Sequence, residues 1–347
     1  MKDPEHILLV RLSSVGDIIL ATPAAALLRL RYPRARITWL VDAGYLDLVR
    51  DNPHIDEAVE FDYTGSHRGP GGILRLADRL KPVDLLVDFQ HKVRSLMLSA
   101  YLHPAQRRVM VKRRGFGIIK AIIGQDAVLG APHQVERYLQ VLGVTGDAPA
   151  PVLIASEEEQ EAAKSSLDGD DFIGIVTGSR HPTKTWPVRH TAALADRCRQ
   201  EGYRVALLGG QQDGLLTGAV VNTMKTEPDY VRTGGSLGQL AGVLSRCRAL
   251  VSPDSGPAHM AGALGVPVLV IFGPTSPERW APRGPRVKVV RRELACSPCS
   301  NYGGASCPVD TLECMNELGF EEAWKGLSEL LSGGGARGVF QPALVPP

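Results

Sequence analysis

Short β-branched runs alternate with amphipathic helical segments along almost the whole chain, and this alternation limits the fold more than any other feature. The runs HILLV, RITWLV, EAVEF, VDLLVDF and RRVMV in the first half are nearly continuous in apolar residues, as are FIGIVTG, YRVALLG, ALVS and VPVLVIFG in the second. Strands buried on both faces read this way. Helical spacing runs over 17–32, 91–101, 187–201 and 236–246. Strands interleaved with helices predict an α/β architecture, with parallel sheets covered by helices on both sides. The pattern restarts after the Pro-, Gly- and Ala-rich stretch TGDAPAPVLIASE. A chain of 347 residues also exceeds what one core usually serves. Two Rossmann-like domains are therefore expected, 1–154 and 155–332, the second carrying a Cys-rich loop at 294–316. The Gly- and Pro-punctuated stretch 333–347 is expected to be an irregular tail. In such a fold a ligand belongs at the carboxyl ends of the strands, here in a cleft between two facing domains.

Several function classes are disfavoured at once. The net charge of +2 gives no global attraction to nucleic acid, and none is expected as a partner. No run of about 18 apolar residues is present to span a bilayer. The first apolar stretch is interrupted by Arg11 and Asp17 and lacks a small-residue cleavage site, unlike a secretory signal. A cytoplasmic location is expected, where six cysteines read as thiols or metal ligands rather than a disulfide framework. Neither G-x-G-x-x-G after the first strand nor G-x-x-x-x-G-K-[ST] occurs, which speaks against hydride transfer and P-loop chemistry.

Three stretches carry candidate chemistry. In VSPDSGPAHMAGALGVPVLVIFGPTSPERW, residues 251–280, a strand, a helix and a second strand follow in order. Asp254, Ser255 and Gly256 then fall at a strand-to-helix turn, where free N–H groups and the positive helix end favour an anion such as a pyrophosphate. Asp254 or Ser255 would equally serve as a plain helix cap, and His259, one turn in, as a packed helix histidine. In VTGSRHPTKTWP, residues 176–187, Thr177, Gly178 and Ser179 offer hydroxyl and backbone donors to phosphates, and Lys184 a mobile ammonium. In RLSSVGDIIL, residues 11–20, Asp17 lies where an apolar strand runs into an apolar helix. It would at least favour the helix N-terminus there.

Together these stretches resemble the ADP-heptose:lipopolysaccharide heptosyltransferases, glycosyltransferase family 9. The likeness rests on RLSSVGDIILATPAAALLRLRYP, on the Lys-x-Trp-Pro of KTWP, and above all on DSGPAHMAGALGVPVLVIFGPTSPERW. It implies a GT-B fold and an inverting transfer of heptose from ADP-L-glycero-D-manno-heptose to Kdo or heptose of the inner core, with no cofactor required for catalysis. It further implies Asp17 as general base, Lys184 as a pyrophosphate ligand, and Asp254 to Gly256 as donor contacts; His259 and Thr177 to Ser179 are taken as further candidate donor contacts. Ser13, Ser14 and Gly16 would lie beside the acceptor. An inverting transfer does need one carboxylate to take the acceptor proton, and closure of the cleft would assemble base, acceptor and donor. The loop GGQQDG departs from the family pattern, so that Gln211, Gln212 or Asp213 would meet the ribose.

Residues 91–120 hold eight Lys or Arg and no Asp or Glu. A solvated basic face would read this way, but Lys112, Arg113 and Arg114 would also meet the carboxylates and phosphates of a Kdo-lipid A acceptor, or an anionic leaflet in peripheral contact with the inner membrane. The cysteines Cys296, Cys299, Cys307 and Cys314 have the C-x₂-C start of a structural zinc site, with non-standard later spacing; free thiols are the other reading. Two alternatives stand beside the heptosyltransferase: a related GT-B enzyme with another nucleotide-sugar or surface-glycan acceptor, and a non-catalytic nucleotide-sugar or metal-binding protein. A binding module has no need of Asp17 as a base.

Overall fold

The computed structural model describes residues 2–110, 132–146, 148–167, 169 and 171–333. Lys112, Arg113 and Arg114 and the tail from 334 onward lie outside the described residues. The chain divides into two compact units, the first ending at Ile154 and the second beginning at Ala155.

In the first unit the order is β1 (His6–Val10), α1 (Val15–Arg31), β2 (Arg36–Asp42), β3 (Glu57–Phe61), α2 (Gly69–Leu80), β4 (Leu85–Asp88), α3 (Val93–Leu102), β5 (Gln106–Val109) and α4 (Gln134–Val141). The strands pair in parallel in the order β3-β2-β1-β4-β5, with Leu8 of β1 level with Thr38 and Leu86. All five residues of β1 are buried, which is why HILLV shows no polar alternation. Ile73, Leu76, Ala77 and Leu80 form the buried stripe of α2 at helical spacing. They join Leu8, Val10, Leu86 and Leu98 in one core.

Helix α1 begins at Val15, two residues before the predicted start, so Asp17 lies inside its first turn. Pro23 has no N–H to give the Ile19 carbonyl one turn back. The Thr22 hydroxyl supplies the missing donor at 2.8 Å and accepts from the Val152 N–H at 2.9 Å, tying the end of the first unit to its helix.

The second unit runs α5 (Glu157–Ser166), β6 (Phe172–Val176), α6 (Val188–Gln200), β7 (Arg204–Gly209), α7 (Gly214–Thr223), β8 (Tyr230–Thr233), α8 (Leu237–Ser245), β9 (Cys247–Pro253), α9 (Gly256–Ala263), β10 (Val268–Phe272), β11 (Val287–Arg291) and α10 (Phe320–Ser332). Its sheet is also parallel, ordered β11-β10-β9-β6-β7-β8. Helices α6 and α10 cover one face, through Leu194, Cys198, Leu327 and neighbours, against Ile175, Val251 and Ile271. Helices α5 and α8 pack together. Both sheets show the doubly wound order in which strands run outward from a central pair. The switch points lie between β1 and β4, and between β6 and β9, where such folds bind ligands.

Candidate functional site

Charged side chains gather at both switch points. In the first unit the chain leaves β1 at Val10 beside the end of β4. The Leu12 N–H donates to Gln90 Oε1 at 3.3 Å, and Arg11 Nη1 to the Phe89 carbonyl at 2.9 Å. Asp88 Oδ1 shapes that second loop by accepting from the Gln90 and His91 N–H groups, at 2.9 and 2.8 Å. Asp17 Oδ1 accepts from Arg11 Nη2 at 2.7 Å and from Tyr138 Oη at 2.9 Å, while Oδ2 accepts from Ser14 Oγ at 3.1 Å. The Arg11 side chain is buried, while that of Asp17 is 17% exposed.

Burial pushes the Asp17 carboxyl up, but the Arg11 charge and the bonds from Tyr138, Arg11 and Ser14 outweigh it and hold the group below the ordinary carboxylate value. The result is a partly open carboxylate backed by a buried cation. Ser13, Ser14 and Gly16 are half-buried around it. Ser14 is the N-cap of α1, yet its hydroxyl serves Asp17 rather than the helix N–H groups.

In the second unit Lys184, in a short turn at Pro182–Lys184 after β6, reaches Asp254 Oδ2 beyond the end of β9 at 3.2 Å. Thr275 Oγ1 donates to the same oxygen at 2.7 Å. Both members of the pair are largely buried, with side chains 12% and 8% exposed. Ser255 is the N-cap of α9 but makes no cap bond; its hydroxyl meets Ser252 Oγ at 2.8 Å. The N–H groups of Gly256 and Ala258 in the first turn are thus left without a side-chain cap. His259 is buried in the same helix.

The loop after β6 divides its three candidates. Thr177 turns inward: its N–H donates to the Leu208 carbonyl, and its hydroxyl meets Leu208 O and Thr217 Oγ1 at 3.3 and 2.8 Å. This corrects the expectation that its hydroxyl faces a phosphate, because the group is used to join β6, β7 and α7. Gly178 packs under Asp213, whose carboxylate carbon would lie 2.3 Å from any added Cβ. Ser179 Oγ is buried and makes no hydrogen bond among the described residues. Of the ribose candidates, Asp213 is therefore the one brought to the end of β6, also accepting from the Gly210 N–H at 2.7 Å; Gln211 and Gln212 are exposed.

The cysteine-rich segment packs onto the lysine turn. Thr183 Oγ1 donates to the Gly304 carbonyl at 3.0 Å and accepts from its N–H at 2.8 Å. Cys296, Cys299, Cys307 and Cys314 line a cavity of about 160 Å³ together with Thr183 and Pro274. Burial and the neighbouring thiols push Cys314 up to about 11. Among the described residues no three His, Cys, Asp or Glu side chains are gathered to hold a metal ion.

Gly303 adopts φ +89°, and a Cβ there would lie 2.9 Å from His181 Cβ and 3.0 Å from Lys184 Cγ. Gly303→Ala is expected to cost about 1–2 kcal/mol from backbone conformation alone. It should also displace the lysine stem; normal stability in the variant refutes this close contact.

Sequence reasoning missed Arg11, Tyr138 and Thr275. A lone Arg ending an apolar strand is a usable signal, and Thr275 lies in the turn-rich GPTSPERW loop, but Tyr138 reaches Asp17 from 121 positions away with nothing local to mark it.

Two parallel sheets with charged switch points define a class of two-unit, Rossmann-ordered α/β proteins. The chain belongs to glycosyltransferase family 9 (heptosyltransferase), whose sequence model matches residues 73–308. It is a glycosyltransferase of GT-B type. It is 26% identical over 307 residues to lipopolysaccharide heptosyltransferase 2 of Salmonella typhimurium, covering 82% of this chain and 87% of that protein. The glycosyltransferase family 9 structure from Veillonella parvula superposes with a TM-score of 0.78 at 26% identity, covering 95% of this chain and 98% of the other. The Escherichia coli ADP-heptose lps heptosyltransferase II does so with a TM-score of 0.74 at 22% identity, covering 94% and 98%.

Proposed function

We propose that the chain transfers heptose from ADP-L-glycero-D-manno-heptose to the Kdo or heptose of the lipopolysaccharide inner core, with inversion and with Asp17 as general base. The observation that carries this reading is Asp17 itself, a partly open carboxylate kept ionised by a buried arginine. In the reaction the acceptor oxygen attacks the anomeric carbon from the face opposite the leaving group. Asp17 takes its proton, and the bond from that carbon to the diphosphate oxygen breaks. The departing ADP gains negative charge, which Lys184 and the first-turn N–H groups of α9 receive. Gly178 and Ser179 would line the phosphates and Asp213 the ribose, so the second unit is the donor side. The first unit is then the acceptor side, with Ser13, Ser14 and Gly16 beside Asp17, and Lys112, Arg113 and Arg114, outside the described residues, as the proposed contacts of the acceptor anions. No step is routed through a cofactor.

The acceptor is lipid-anchored, so the reading includes a cytoplasmic protein in peripheral contact with the inner membrane. Among the described residues no helix is long and apolar enough to cross a membrane. Val93 and Leu96 are exposed on α3 beside Lys92 and Arg94, a basic and apolar surface suited to anionic lipid. The four cysteines belong to the reading as packed thiols or as a structural zinc site, and near-stoichiometric zinc in purified protein decides for the second.

Incubation with a panel of ADP-sugars and a Kdo-bearing lipid A acceptor, read by mass spectrometry, tests the proposal. One heptose added per acceptor from ADP-heptose is expected. Transfer of a different sugar in preference, or donor binding without transfer, overturns it.

A further inference from the structure

Asp17 is held unevenly. Among the described residues, Oδ1 takes both strong donors, Arg11 Nη2 at 2.7 Å and Tyr138 Oη at 2.9 Å, whereas Oδ2 has only the Ser14 hydroxyl at 3.1 Å. Each donor is fixed from behind. The other prong of Arg11 donates to the Phe89 carbonyl at 2.9 Å, and the Tyr138 ring packs on the Phe89 ring with centroids 4.8 Å apart. Tyr138 is fully buried and Arg11 is 5% exposed. Turning the carboxylate plane away from this orientation would break both bonds to Oδ1.

Resting on the reading of Asp17 as general base, we propose that Arg11 and Tyr138 are positioning residues that clamp its Oδ1 and leave Oδ2 as the atom that accepts the acceptor proton, in the place the Ser14 hydroxyl now holds. Among the described residues, the groups that face Asp17 are Arg11 after the end of β1, Tyr138 from α4, and the uncharged Ser14 at the N-cap of its own helix. Burial raises the Tyr138 phenol, so it stays protonated and donates its hydrogen to Asp17. The clamp has a definite cost and return. A carboxylate beside an arginine is a weaker base, which lowers the driving force for proton transfer. In exchange it is ionised at every working pH, aimed with one oxygen, and sheds the captured proton readily after each turnover.

The test is the pH dependence of kcat/KM for the Kdo-bearing lipid A acceptor at saturating ADP-heptose, in wild type, Tyr138→Phe, Arg11→Gln and Asp17→Asn. In wild type the acid limb due to Asp17 lies below the ordinary carboxylate value, because activity is lost only as pH falls through the depressed folded pKa. Tyr138→Phe keeps the ring on Phe89. It is expected to lower kcat about tenfold, leave KM for ADP-heptose unchanged, and move the acid limb upward. Arg11→Gln should move the limb further, by about 1–3 pH units. Tyr138→Phe with wild-type kcat and an unmoved limb overturns the clamp, even if Arg11→Gln does not fold. Asp17→Asn as active as wild type overturns the base reading instead, so the two failures are separable.

Discussion

Asp17→Asn is expected to lower transfer by about 10²–10⁴-fold, the usual contribution of a general base, while ADP binding is unchanged because the proposed donor contacts lie in the second unit. The amide is nearly isosteric, and its oxygen can still accept from Arg11 or Tyr138, so the loss reports chemistry rather than shape. The same substitution has a stability signature whose sign follows from the depressed carboxyl. The ionised group stabilises the fold fully above the ordinary carboxylate value, and that contribution fades as pH falls through the lower folded value. At neutral pH the variant removes the Asp17 charge from beside the buried Arg11 cation and is expected to be less stable on the order of 2 kcal/mol. The gap between variant and wild-type melting temperatures should close in acid, once Asp17 is protonated in both folded and unfolded chains. Equal transfer rates for the two proteins would remove Asp17 from the mechanism, and a stability gap that widens in acid would contradict the ion pair.

The strands that build both switch points were legible because they are buried on both faces. HILLV, VDLLVDF and FIGIVTG are plainly apolar runs, and β1, β4 and β6 lie inside them. The missed strands β8 and β11 lie at the edges of their sheet, where the half-exposed sequences YVRT and VKVVR carry mixed polarity. Helix α2 was hidden by its start, GPGG, which reads as a turn although Ile73, Leu76, Ala77 and Leu80 behind it have clean helical spacing. Helices α4, α7 and α10 were also unanticipated; α7, GLLTGAVVNT, exposes Leu215 and buries little.

The site divides along the same line. Asp17, Lys184 and Asp254 each follow a readable strand and could be picked out locally. Their partners could not. Which hydrogen bond a side chain makes depends on strand order, and order brings Phe89 beside Arg11 and Thr275 beside Asp254 across 78 and 21 positions. Thr177 shows the converse error. Its residue type suits a phosphate contact, but the backbone turns it inward, toward Thr217.

Lys184→Met is the second large effect, and it separates two consequences of one charge. Removing the ammonium should lower kcat by about 10²–10³-fold, the scale seen when one preorganised partner of a developing negative charge is lost. It also leaves Asp254 largely buried with, among the described residues, only the Thr275 side chain donating to it. Breaking a buried pair from one side costs about 3 kcal/mol, so the melting temperature should fall by roughly 6–12 °C for a unit of this size. Asp254→Asn in the same chain removes the orphaned charge, keeps a group that can accept from Thr275, and should recover most of that stability. It should not recover turnover, because an amide at position 254 supplies no cation to the leaving diphosphate. The double-mutant cycle therefore assigns the stability loss to the pair and the rate loss to the ammonium. Turnover restored along with stability would mean that Lys184 acts on the fold alone, and an unchanged kcat in the single variant would mean that the leaving group is met elsewhere.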